Sequence, residues 1–241
     1  MSDPLVFLPG IMSDARLFSP QISAFSNETS VTVAPITKGE TMEEIATGLL
    51  KKLPQHFALA GHGMGGIVAM EILRLAPDRV SRIALMDTTS LAETPQTAAD
   101  YEPTIIKLKA GLLEIAAAEL VRPEHLAPGV NRASVLNLVA KMAETLGAAA
   151  IIEQARALQR RCDYQVILRK CQVPALVLCG VHDTLMPVKR HEFMAGIIPN
   201  AQLALIQGAG HYPTLEAPEA VIAALRSWMN MPLMLQARIS A

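Results

Sequence analysis

The sequence predicts an α/β protein: a mainly parallel sheet of about six strands, helices on both faces, and a helical insertion after the fourth strand. Three observations predict it. Six short apolar runs alternate with helix-favouring segments. The alternation breaks once, across residues 91–164, where no strand pattern is evident. The run FALA at residues 57–60 meets the glycine cluster GHGMGG at 61–66 and passes straight into IVAMEIL, which reads as strand, tight turn and helix.

Taken in order, LVFL at residues 5–8 is all apolar, as suits a strand buried on both faces. Pro9, Gly10, Ile11 and Met12 form the loop that follows. Residues 15–25 predict a short helix broken at Pro20, and residues 31–36 a second strand. Thr41 can cap the next helix, with Glu44 completing a capping box. The third strand and its turn follow, then a helix over residues 65–75 that ends at Pro77, Asp78 and Arg79. Residues 82–87 are the fourth strand. Ala, Leu, Glu and Lys dominate residues 91–164; turn signals at Pro103, Arg122-Pro123 and Pro128-Gly129 leave three or four helices. Residues 175–180 and 202–206 are the last two strands, separated by a helix over 189–196. A final helix covers 218–229, and the tail after Pro232 carries no clear signal.

The 241 residues suffice for one α/β domain with a sizeable core. The net charge is −1 and no basic stripe appears, so nucleic acid is not expected as a partner. No apolar run reaches the roughly 18 residues of a membrane span, and residues 1–4 lack a signal-peptide pattern. The cysteines, Cys162, Cys171 and Cys179, are odd in number and not spaced for zinc; a reducing cytoplasm suits them, as buried inert thiols. A monomer or a homodimer is expected.

Two motifs compete for the glycine cluster. G-x-G-x-x-G, the dinucleotide fingerprint, is matched by Gly61, Gly63 and Gly66, with Asp87 as the acidic residue roughly 20 positions on. G-x-S-x-G, the nucleophile elbow, fits everywhere except the centre, where Gly63 replaces serine. The rest of the chain decides. In parallel sheets ligands bind at the carboxyl ends of strands, and past the last two strands stand His182-Asp183 and His211. A histidine that moves a proton and a carboxylate that fixes its tautomer are what a nucleophile–His–acid device needs. The dinucleotide reading explains neither residue, and it expects its glycines after the first strand of the unit, not the third.

Four features in one order carry a resemblance: LPGI at residues 8–11, GHGMGG at 61–66, GVHD at 180–183, and GAGHYP at 208–213 followed by Glu216-Ala217-Pro218. With them the chain resembles the α/β-hydrolase family over nearly its whole length. The resemblance implies the α/β-hydrolase fold, with residues 1–90 and 165–241 as core and 91–164 as a helical cap. It implies that Asp183 is the catalytic acid, His211 the base, and the N–H groups of Ile11 and Met64 the oxyanion hole. Met12, His62 and His182 are candidate substrate contacts or hydrogen-bonded supports. No metal or organic cofactor is implied, and the partner is a small-molecule acyl substrate. Asp87 is an alternative acid or a turn residue, and His56, His125 and His191 read as surface residues. The antiparallel strands that open the family's sheet are expected to be missing.

Gly63 is the departure that matters. The elbow strains its central residue, and glycine bears such a conformation at the least cost. It deletes the nucleophile and leaves base, acid and oxyanion donors. Three readings follow: a deliberately inactive variant of a serine enzyme, a natural binding protein, or serine-free His–Asp chemistry such as that of cofactor-free oxygenases. The first is favoured, because everything else in the site is kept for hydrolysis of a small, largely apolar ester, lactone or thioester.

Overall fold

The computed structural model describes residues 3–233; the tail expected to lack signal falls largely outside them. Six strands, β1 (Leu5–Leu8), β2 (Val31–Val33), β3 (Phe57–His62), β4 (Val80–Met86), β5 (Ala175–Gly180) and β6 (Ala201–Ile206), form one sheet. Its order is β2-β1-β3-β4-β5-β6, with every recorded pairing parallel. β1, β3 and β5 are buried along their whole length, whereas edge strand β6 exposes Leu203 and Leu205.

Alternate residues of each strand serve opposite faces. On one face Val6, Leu59, Ile83 and Val177 meet helices α2 (Met42–Leu50), α3 (Met64–Leu75), α8 (Gln165–Arg169) and α9 (Val188–Ile197). On the other, Phe7, Ala60, Met86 and Leu178 meet α1 (Ser19–Phe25) and, after the short α10 (Pro213–Glu216), α11 (Pro218–Met229), through Phe25, Leu225 and Trp228.

Local chemistry refines three expectations. Residues 15–25 split into a 3-10 turn (Ala15–Phe18) and α1, with Pro20 in the first turn of α1, where its missing N–H costs no bond. Thr41 Oγ1 accepts from the Glu44 N–H (3.1 Å), but the Glu44 carboxylate reaches one residue further back, to the Glu40 N–H (2.8 Å). Pro103 does not mark a turn: it sits in the first turn of α5 (Tyr101–Lys109).

Between β4 and β5 the regular structure is helical throughout: α4 (Pro95–Ala99), α5, α6 (Leu113–Leu120), a 3-10 turn (Pro123–His125), α7 (Arg132–Gln159) and α8. α7 is 28 residues long and apolar enough to match a membrane span, but Gly147 (φ 77°, ψ 160°) breaks it, and Val139, Met142 and Ile151 join the core of the second face. The segment leaves and re-enters the core through one clasp. Tyr164 N–H donates to Ser90 O (2.8 Å), and the Arg161 guanidinium pairs with Glu93 (2.7 Å), both side chains at least 93 % buried.

Candidate active site

β3 delivers its last residue, His62, to a turn that α3 leaves at once. The turn is tight because a Cβ at Gly61 would lie 2.3 Å from Gly65 O, so only glycine permits that approach. Gly63 sits between them at φ 53°, ψ −119°. Its N–H donates to Met86 O (2.9 Å), and its carbonyl accepts from the Thr88 hydroxyl (2.7 Å). A Cβ at Gly63 would meet His211 Nε2 at 3.7 Å and the Gly10 Cα at 3.8 Å. A side chain at this position would therefore face the histidine.

His211 Nδ1 is 2.8 Å from Asp183 Oδ2. The other carboxylate oxygen accepts from the N–H groups of Leu185 (2.8 Å) and Met186 (2.9 Å). Burial alone would raise the Asp183 carboxyl; the His211 charge and hydrogen bond, with those two amides, outweigh it and hold the group below its ordinary value. A carboxylate so held keeps the Nδ1 proton on His211 and leaves Nε2 with its lone pair toward Gly63.

The His211 backbone is fixed from both sides. Its N–H donates to His125 O (2.7 Å), and His62 Nε2 donates to its carbonyl (2.6 Å). Glu216 ties the loop further, accepting from Gly210 N–H (3.0 Å), Tyr212 N–H (2.9 Å) and Ala127 N–H (2.7 Å). Burial above all, and repulsion from His211 whenever that ring takes up a second proton, push His62 down to about 3, so its ring is neutral. The rings of His62, His211 and Tyr212 form a cluster with centroids 5.1–5.3 Å apart.

Met64 opens α3, so its N–H has no acceptor within the helix. The Ile11 N–H has no acceptor among the described residues. Met12 adopts φ 59° and is held there by α7, whose Gln154 Oε1 accepts its N–H (3.1 Å) while Gln154 Nε2 donates to Ile36 O (3.2 Å).

Asp87, the alternative acid, does not pair with His211. It lies beneath Asp183 at φ 45° and accepts from the Gly180 N–H (2.9 Å). Burial, then the Asp183 charge, raise its carboxyl well above the usual range, which favours its protonated form. Asp87, Cys179 and Asp183 bring their polar atoms within 4.8 Å of one another. Burial keeps the Cys179 thiol protonated too, donating to Gly180 O (3.1 Å), and Asp183 is committed to His211; this donor set suits protons better than a cation.

The structure thus brings Gly63, Met64, Asp183, His211 and the Ile11–Met12 loop together. Of the other candidate contacts, His62 is buried behind His211, and His182 is exposed, with its N–H on Ala209 O (2.9 Å). His56 is exposed as expected, but His125 and His191 are buried. His191 shares a helical stripe with Met194 and Ile198, and its Nε2 accepts the Thr88 N–H (3.0 Å). That stripe was the available signal. Cys162 is exposed, not buried, and all three cysteines are free. Thr88, Gln154 and the His125 carbonyl carried no local signature.

The sequence profile of the Alpha/beta hydrolase family matches residues 5–224. The chain is 29 % identical to a pimeloyl-[acyl-carrier protein] methyl ester esterase from Aromatoleum aromaticum, over 76 % of this chain and 77 % of that protein. Among solved structures, a thermophilic esterase from Thermogutta terrifontis superposes with a TM-score of 0.85 at 25 % identity, covering 95 % of this chain and 90 % of that one. The enol-lactonase from Burkholderia xenovorans shares the fold, with a TM-score of 0.82 at 20 % identity and coverage of 95 % and 92 %. The profile match spans the elbow, the Asp183 loop and the His211 loop alike, and the chain belongs to the alpha/beta hydrolase family.

Proposed function

We propose that this chain holds the site of an ester-type hydrolase for a small, largely apolar acyl substrate, with Gly63 standing where the nucleophilic serine belongs. It is in this reading an inactivated form of an active enzyme. His211 is the base, Asp183 fixes and balances its imidazole, and the Ile11 and Met64 N–H groups are the oxyanion hole. Residues 91–164 are the cap over the site, and its Ala-, Leu- and Ile-rich helices favour an apolar acyl portion.

One observation carries the reading: a side chain at position 63 would point at His211 Nε2, whose other nitrogen Asp183 holds. The names of the esterase relatives support the ester class. In the serine form the hydroxyl would attack the carbonyl and pass its proton to Nε2. His211 would return that proton to the leaving group, and water would then release the acyl group.

The test is Gly63→Ser on acyl esters of graded chain length. We expect turnover to rise by several orders of magnitude, up to about a million-fold, since removing the serine alone can cost that much. A burst of product equal to the enzyme concentration would report the acyl-enzyme. A folded Gly63→Ser protein that stays inactive on esters, lactones and thioesters would overturn the reading and leave the site a binding site.

A further inference from the structure

Gly63 removes a side chain but not the groups built around it. A Cβ there meets nothing nearer than 3.7 Å, and an oxygen one bond beyond it, turned toward Nε2, falls within hydrogen-bond reach of His211. The adjacent hydroxyls are engaged elsewhere: Thr88 donates to Gly63 O (2.7 Å) and Ser13 to Ile11 O (3.3 Å). A lone pair on Nε2 and two uncommitted N–H groups remain.

We propose that the His211–Asp183 pair activates a water molecule beside Gly63 for direct attack on the ester carbonyl, so that this chain is a slow hydrolase that forms no acyl-enzyme. The proposal rests on the acyl-ester reading of the site. In the step, the water oxygen bonds to the carbonyl carbon as one of its protons passes to His211 Nε2. The carbonyl electron pair moves to its oxygen, which faces the Ile11 and Met64 N–H groups. Collapse breaks the bond to the leaving oxygen, which takes the proton back from His211. Ester and water become acid and alcohol, with nothing oxidised or reduced and no bond to protein. Water is small enough to occupy the room of a hydroxymethyl group and can donate to Nε2 from there.

The probe is p-nitrophenyl acetate, an activated ester of small size, given to four proteins purified alike: the Gly63 chain, Gly63→Ala, Gly63→Ser and His211→Ala. General-base assistance is worth about 10²–10⁴-fold. We expect the Gly63 chain to exceed His211→Ala by at least about 10²-fold, with no burst and no acetylated protein by intact mass. Gly63→Ala fills the room with a methyl group and should lose about tenfold or more. Serine imposes the same backbone demand at φ 53° as alanine, so a folded Gly63→Ser protein shows that any Gly63→Ala loss is not misfolding. A Gly63 rate equal to that of His211→Ala, a Gly63→Ala rate equal to that of Gly63, or an acetylated Gly63 chain overturns the proposal. The two ideas fail separately. His211-dependent turnover by Gly63 with an inactive Gly63→Ser sinks the serine-enzyme reading alone, while an active Gly63→Ser beside a His211-independent Gly63 chain sinks the water step alone.

Discussion

The sheet and the helical segment between β4 and β5 both reach the site, but they contribute different parts of it. From strand ends come the turn at Gly63 after β3 and the side chains of Asp183 after β5 and His211 after β6. From the helical segment come restraints on backbone: the His125 carbonyl on His211 N–H, and Gln154 on the Met12 N–H. In the proposed reading the core supplies the chemistry and the helical segment adds to its alignment. Damage to the first should abolish turnover, and damage to the second should detune it.

The sharpest break of this contrast is Asp183→Asn in a Gly63→Ser background. The amide keeps the shape but favours the wrong imidazole tautomer, and kcat should fall about 10⁴-fold. Steady-state kinetics with unchanged melting would confirm a core residue acting on chemistry alone.

Acid should strike the core as well. His62, pushed to about 3, and His191, pushed by burial to about 4, are held neutral when folded but titrate near 6.5 when unfolded. The unfolded state therefore binds more protons between those values. Stability is complete above about pH 6.5 and falls as pH drops toward 4, by up to about 1.4 kcal/mol per pH step for each histidine. Urea midpoints across pH 7 to 4.5 would measure the slope, and His191→Gln should flatten it.

The clasp gives a stability test on the other side. Glu93→Ala strands Arg161 in a buried site, and breaking such a pair costs about 3–5 kcal/mol. Calorimetry should show the melting temperature falling. A surface-like loss under about 1 kcal/mol would mean that the segment is not anchored there.

The smallest effect separates alignment from chemistry most cleanly. Gln154→Ala leaves the buried Met12 N–H and Ile36 carbonyl without that partner, at about 1–3 kcal/mol. In the Gly63→Ser background it should lower kcat more than it raises KM, because the loop bearing the Ile11 N–H loses its brace. A change in KM alone would place Gln154 in substrate binding.

The same contrast governs what the chain announces in advance. β1, β3 and β5 are legible because strands buried on both faces must be apolar throughout. The turn at Gly63 is legible because only glycines allow its close approach, and the order of turn, Asp183 and His211 fixes which residues meet. The alignment is not legible. Gln154 binds a backbone group 142 positions away, and the partner from residue 125 is a carbonyl, which every residue type has. His125 and His191 mislead because histidine reads as polar, whereas these rings are buried and bonded to backbone, His125 to the nearby Arg122 N–H and His191 to the distant Thr88 N–H.

The double hold on the His211 backbone also bears on how the molecule comes to be folded. One of its partners lies 149 residues earlier in the chain, and contacts of such separation pay for loop closure before they return any stabilisation. Nearby pairings, β1 with β2 and the packing of α3 on β3, carry no such delay. We therefore expect His211 to reach its final position late, after most of the sheet exists. In a refolding experiment on the serine form, regained turnover should lag the return of sheet signal, and the interval between them would time the last closure of the chain.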